Sequence, residues 1–187
     1  MGLGLRLVKM PSDELFAALN DDKIDIAMNN YAMTSTREKS IDFTSAYACS
    51  GVSIVSRVPN FNKNTDLAGK TIGASKGSIM LTYIEKLPFE KTVKVYDTNM
   101  ALIQAASAGQ VDATYAWTSM QSGLKKVLPI PLYWSPELWS SPAGMAVAGG
   151  NNSLKQSLNI YLARYLRTND AVQLMKKYYG KDLRCGN

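Results

Sequence analysis

The sequence predicts an α/β fold, and three observations carry that expectation. Between positions 71 and 134 short apolar stretches alternate with helical ones, as strands joined by helical crossovers do, which predicts parallel strands. The stretch 24–28 is apolar at Ile24, Ile26 and Met28 with a single Asp25, closer to a strand buried on both faces than to a half-exposed one. A weak internal echo repeats helix, polar turn and strand: 16–26 ends in Lys23, Ile24, Asp25 and Ile26, and 103–113 ends in Gln110, Val111, Asp112 and Ala113. The echo aligns Asn30 with Trp117 and suggests two lobes.

Taken in order, residues 5–8 read as a strand. Ser12 can cap a helix whose first turn carries Asp13 and Glu14, suited to the positive end of the helix dipole, and whose apolar face is Leu15, Phe16 and Leu19. Asn20, Asp21 and Asp22 stop it, and 23–28 forms the next strand. After a polar loop centred on Arg37, residues 47–57 form a strand around Gly51, Val52, Ser53, Ile54 and Val55. The Asn- and Pro-rich run 59–66 is a connection. Strands at 71–74, 92–96, 111–116 and 131–134 then alternate with helices at 78–86, 99–108 and 118–126. Pro136 and Pro142 bracket an irregular stretch, and 144–148 returns to strand. Helix 153–168 shows Leu154, Leu158, Tyr161, Leu162 and Tyr165 on one face, and helix 170–179 is ended by Gly180.

Composition narrows the function. With 46% hydrophobic and 19% charged residues over 187 positions, the chain can bury a core and carries too little charge for disorder. A formal charge of +6 and a pI near 9.2 suit a field that draws in small anions, and Lys and Arg are scattered without a basic run interleaved with aromatics, so nucleic acid is not expected. No apolar stretch approaches the roughly 18 residues of a membrane span, and the N-terminal run is too short and strand-like for a signal peptide. Cys49 and Cys185 could form one bridge or remain as free thiols. The sequence has no His and no metal-ligand spacing, so neither metal nor cofactor is expected. It also lacks a nucleophile elbow, which removes the commonest acid-base and nucleophilic arrangements and argues against an enzyme.

Two loops could bind an anion. Arg37 follows a strand end, where α/β sheets present loops to ligands, and its guanidinium fork matches a carboxylate bidentately; a solvated surface Arg beside Glu38 and Lys39 is the alternative. Ser75, Lys76, Gly77 and Ser78 run from a strand into a helix, so backbone N–H groups there could meet an anion, or Ser78 could be an N-cap alone.

The residues Lys23, Ile24, Asp25 and Ile26, then Met33, Thr34 and Arg37, then Ile41, Asp42 and Phe43 resemble the signature of the solute-binding proteins that serve ABC importers, in their polar-amino-acid branch. The resemblance continues through 67–73, 76–78, 108–113, 144–147 and 176–180, nearly the whole chain. It implies a two-lobed fold of the type II periplasmic-binding-protein kind with discontinuous lobes: 1–49 and 144–187 in lobe one, 50–143 in lobe two. The function implied is capture of a small carboxylate-bearing solute between the lobes, in the periplasm or outside the cell, for an importer's membrane subunits. By position, Arg37 would hold the carboxylate with Asn30 and Ala32 beside it, and Ser78, Gly77 and Trp117 would act from lobe two. Two departures stand out. Ala32 replaces a hydroxyl residue, leaving backbone N–H at that point, and Trp117 replaces the Asp that holds an α-ammonium. Trp117 could stack on an apolar ligand, face a quaternary amine, or simply pack in the core, so ligands other than ordinary amino acids are expected.

Similar folds include cyclohexadienyl dehydratases, the alternative from another class, which use a carboxylic acid. Glu85, Glu90 and Glu137 are the glutamates of the presumed second lobe, and none lies on a predicted crevice loop. A ligand-sensing receptor domain is a third reading. The resembled proteins also carry a first strand and helix ahead of the strand matching 5–8, so lobe one is expected to be N-terminally truncated. Two unpaired edges would favour a homodimer, a strand-swapped assembly or a rearranged lobe, with weak ligand affinity.

Overall fold

The computed structural model describes every residue except Met1, Leu3, Ser12, Pro129 and Asn187. The cap expected at Ser12 therefore lies outside the described residues. The chain divides into two compact units: Met1–Cys49, Ser141–Lys177 and Lys181–Asn187 form the first, and Ser50–Ser140 with Tyr178–Gly180 the second.

In the first unit, helix α1 (Leu15–Asn20) packs Leu19 against Ala27, Tyr31, Ile41, Phe43 and Ala146, all buried. Strand β1 (Ile41–Phe43) pairs antiparallel with β8 (Ala146–Ala148), which follows the Ser50–Ser140 segment of the second unit in the chain. Asp42 ties this pair to the helix beyond it. Its carboxylate accepts from Gly150 N–H at 2.9 Å and from Lys155 Nζ at 3.1 Å, contacts that hold its pKa below the ordinary carboxylate value. That helix, α5 (Asn152–Tyr165), is capped by Asn151, and α6 (Asn169–Tyr179) follows it.

Two expected strands of this unit are not formed. Residues 5–8 adopt no regular element, and 23–28 keeps a single antiparallel bridge, Ala27 to Ala146. A strand exists only through a partner's backbone, and apolar patterning cannot supply the partner. The consequence is exposed apolar surface: Leu5 is 81% exposed, Leu7 87% and Met28 57%. Cys49 and Cys185, which the sequence left open, are joined in a disulfide, and Cys49 N–H donates to Leu183 O at 2.6 Å.

The second unit is built on a mixed sheet. Strands β2 (Ala48–Ser56), β3 (Thr71–Ser75), β4 (Thr92–Tyr96), β5 (Ala113–Trp117) and β6 (Tyr133–Trp134) lie in the order β4-β3-β5-β2-β6. β3 runs parallel to β4 and β5, as the helical crossovers require, but β5 and β6 both run antiparallel to β2. The expectation of parallel strands thus holds on one side of β5 only. Beyond Pro136, where the sequence suggested irregular chain, β7 (Trp139–Ala143) pairs with β2.

Both faces of this sheet are covered. Val52, Ile54, Ile72, Ala113 and Tyr115 pack with Ile84 and Leu87 on one face; Val55 and Ala116 pack with Ile103 and Leu124 on the other. Helices α2 (Ile79–Glu85), α3 (Asn99–Ala108) and α4 (Gln121–Val127) supply the covering side chains, which is why β2 and β5 read as nearly unbroken apolar runs. Helix α3 shows the local code plainly. Thr98 Oγ1 accepts from Ala101 N–H, and Gly109 takes the left-handed conformation, φ 74°, that ends the helix.

Candidate functional site

In the first unit the loop after residue 28 gathers the candidate anion site. Asn30 has φ 51°, a left-handed turn that short polar side chains tolerate. Two residues on, Ala32 is 2% exposed and bridges antiparallel to Ala143, so its backbone is fixed. Arg37 opens a 3-10 turn, Arg37–Lys39, whose entry is shaped by Thr34 accepting from the backbone of Glu38. Its Nη1 donates to Ala32 O at 2.9 Å. Its guanidinium carbon lies 5.2 Å from the centre of the Tyr31 ring and 5.6 Å from that of Phe16, within cation-π range of both.

Arg37 is therefore half-buried and held, and not a swinging surface side chain. Burial pulls its pKa down from the ordinary arginine value, and burial likewise pushes the Tyr31 phenol up. A guanidinium offers five donors in a rigid fork, of which the Ala32 carbonyl engages one. Fixing the plane before a ligand arrives lowers the ordering cost of binding a carboxylate.

In the second unit the candidates fall at two strand ends. Gly77 has φ 68°, and Ser78 caps α2: its Oγ accepts from Leu81 N–H at 3.2 Å and donates to Ser75 O at 2.7 Å. The N-cap is the role its contacts describe. Trp117 closes β5 opposite Val52, and its half-buried side chain packs against the core of this unit. Packing, one of the alternatives read from the sequence, is what the contacts of this indole describe.

Beside Trp117 the structure assembles a group that the sequence pattern did not bring together. Thr118, 7% exposed, donates its hydroxyl to Glu137 Oε1 at 3.0 Å. The Glu137 side chain lies against the backbone at Gly51, where a Cβ would overlap its Cγ, Cδ and Oε2. One step on, Ser119 N–H donates to Ser50 Oγ at 3.2 Å, so the chain after β5 is tied to β2 here. Nothing in the sequence next to Pro136 and Glu137 signals these contacts.

Among the described residues no group of His, Cys, Asp or Glu could hold a metal ion, and no helix is long and apolar enough to cross a membrane.

Comparison with known proteins places the chain in a family. The family described as bacterial extracellular solute-binding proteins, family 3, matches residues 1–181. The chain is 29% identical over 176 residues to the probable amino-acid-binding protein YxeM of Bacillus subtilis, covering 90% of this chain and 67% of that one. It is 25% identical to the L-cystine-binding protein TcyJ of Escherichia coli, over 98% of this chain and 70% of TcyJ. Among solved structures, an ancestral arginine-binding protein bound to arginine superposes with a TM-score of 0.86 at 25% identity, over 96% of this chain and 82% of that one.

Proposed function

Because this chain belongs to the family 3 bacterial extracellular solute-binding proteins, we propose that it captures a small carboxylate-bearing solute, an amino acid or a related organic anion, without chemically changing it. The observation that carries the reading is Arg37, fixed between two aromatic rings and the Ala32 carbonyl with its fork already oriented. Asn30 and the Ala32 backbone shape the turn beside it. The solute would then pass to the membrane subunits of an ABC importer, outside the cytoplasm. Relatives named for binding L-cystine and histidine, and an ancestral relative bound to arginine, suggest a polar amino acid as the first class to try.

A thermal-shift screen of amino acids, keto acids and betaines tests this. A ligand at 100 times its dissociation constant adds about 2.7 kcal/mol to the stability of the folded state. No shift with any of these classes would remove the binding reading, and steady conversion of prephenate or arogenate would replace it with a dehydratase.

The exposed apolar residues of the first unit carry a further proposal. Leu5, Leu7 and Val8 lie along a segment that reads as a strand and pairs with none among the described residues, and exposed Met28 ends one that keeps only the bridge at Ala27. Such surface tends to recruit another chain. We expect self-association that rises with concentration and is suppressed in a Leu7→Lys variant. Light scattering checks it: a monomer at every concentration, with Leu7→Lys indistinguishable from the parent, would show that these segments do not seek a partner.

A further inference from the structure

We propose that strand β4 is the interface for a second copy of this chain, paired antiparallel about a twofold axis at Lys94 so that two second units share one continuous sheet. The inference concerns the second unit alone and does not depend on the reading of Arg37.

Among the described residues β4 has one strand neighbour, because it ends the order β4-β3-β5-β2-β6. Thr92 N–H donates to Lys70 O at 3.0 Å, and Lys76 N–H donates to Tyr96 O at 2.9 Å. In a parallel pair alternate residues turn their backbone groups toward the neighbour, so Thr92, Lys94 and Tyr96 face β3 while Val93 and Val95 turn N–H and C=O outward. Edges of this kind are commonly guarded by a proline, a bulge or a lysine. β4 holds no proline and keeps an unbroken register with β3, and Val95 is 52% exposed. Its one lysine, Lys94, is drawn back within its own chain, where Nζ donates to Gln110 O at 3.0 Å.

The strand that fits this edge is the edge itself. Antiparallel pairing bonds outward-facing residues to outward-facing residues, so only registers centred on Val93, Lys94 or Val95 use both valines. The register centred on Lys94 sets Val93 opposite Val95 of the second copy and, beyond them, Lys91 opposite Asp97 of the second copy. Registers centred on either valine set Lys91 or Asp97 against a valine instead. Lys91 Nζ donates to Leu87 O at 2.9 Å and Phe89 O at 3.3 Å, which leaves its third donor for a carboxylate. Asp97 is exposed. Twofold symmetry forms each of these contacts twice, and opposite charges placed across strands stabilise the pair. Lys94 meets its own copy on the axis, a like-charge contact that opposes the pairing and makes it weak and concentration-dependent.

Cysteine crosslinking of the full chain reads the register, since the native cysteines are consumed by their own bridge. Residues opposite one another between the bonded pairs have Cα atoms about 4.5 Å apart, within reach of a disulfide. On mild oxidation Lys94→Cys should dimerise about tenfold faster than Lys39→Cys, an exposed control in the first unit, because pairing raises the effective thiol concentration. Val93→Cys and Val95→Cys should match the control. Sedimentation in a Leu7→Lys background, which removes association through the first unit, reads the affinity: Asp97→Lys should weaken the dimer about tenfold by setting like charges opposite. Adding Lys91→Glu to Asp97→Lys should restore it, and thermal melts confirm that each variant is folded. Lys94→Cys that crosslinks no faster than the control, or Asp97→Lys that dimerises as its parent does, overturns the assignment. Fast crosslinking at Val93→Cys or Val95→Cys overturns the register. A chain that stays monomeric and instead takes up an added strand-forming peptide with a glutamate opposite Lys91 gives the edge to a foreign strand and overturns the second copy as its occupant.

Discussion

Arg37→Ala is expected to weaken solute binding by about 2–5 kcal/mol, roughly 30-fold to several thousand-fold, because a buried carboxylate would lose its charged partner. The side chain also contributes to the fold. It lies over Phe16 and Tyr31 and bonds the Ala32 carbonyl, so its removal should lower stability by roughly 1–2 kcal/mol as well. The two effects separate if affinity is measured well below the melting midpoint of the variant. Arg37→Lys keeps the charge without the fork and should fall between parent and alanine. Isothermal titration with the best solute from the screen decides it, and an alanine variant that binds as tightly as the parent would sink the assignment.

Reducing the Cys49–Cys185 bridge should cost about 2–5 kcal/mol of stability. The bridged cysteines are separated by 136 positions, so the bond closes most of the chain into one loop and restricts the unfolded state accordingly. For a chain of this size that corresponds to a fall in melting temperature of roughly 5–15 °C. Thermal melts with and without dithiothreitol, alongside Cys185→Ser, measure it. The oxidised protein should show no reactive thiol even when denatured. Equal melting temperatures in both redox states would mean that the loop contributes nothing.

What could be read from the sequence was what neighbouring residues encode. Helix α3 carries its start in Thr98 and its stop in Gly109, and β4 is bounded by the turns on either side, so both were legible. The placement of Arg37 on a loop after an apolar stretch was legible too. Its immobilisation was not, because Phe16 comes from a separate helix and the accepting carbonyl from the turn before it. The same applies to the strands expected at 5–8 and 23–28: their side-chain pattern is intact, but pairing belongs to partners that a one-dimensional reading cannot count. Glu137 was invisible for a different reason. Its setting depends on a glycine within β2 and a threonine just after β5, and nothing local to Pro136 and Glu137 signals either.

The bridge also has a mechanical consequence. If the chain were pulled from points outside the two cysteines, the tension would run through the disulfide, and the whole sequence between Cys49 and Cys185 would be shunted out of the load path. The second unit lies wholly within that bypass. Under oxidising conditions it could not be unravelled by such a pull, whatever its intrinsic stability. Cleaving the bond would release a hidden length of 136 residues, roughly 450–490 Å when fully extended, and single-molecule extension traces in the two redox states would differ by that amount.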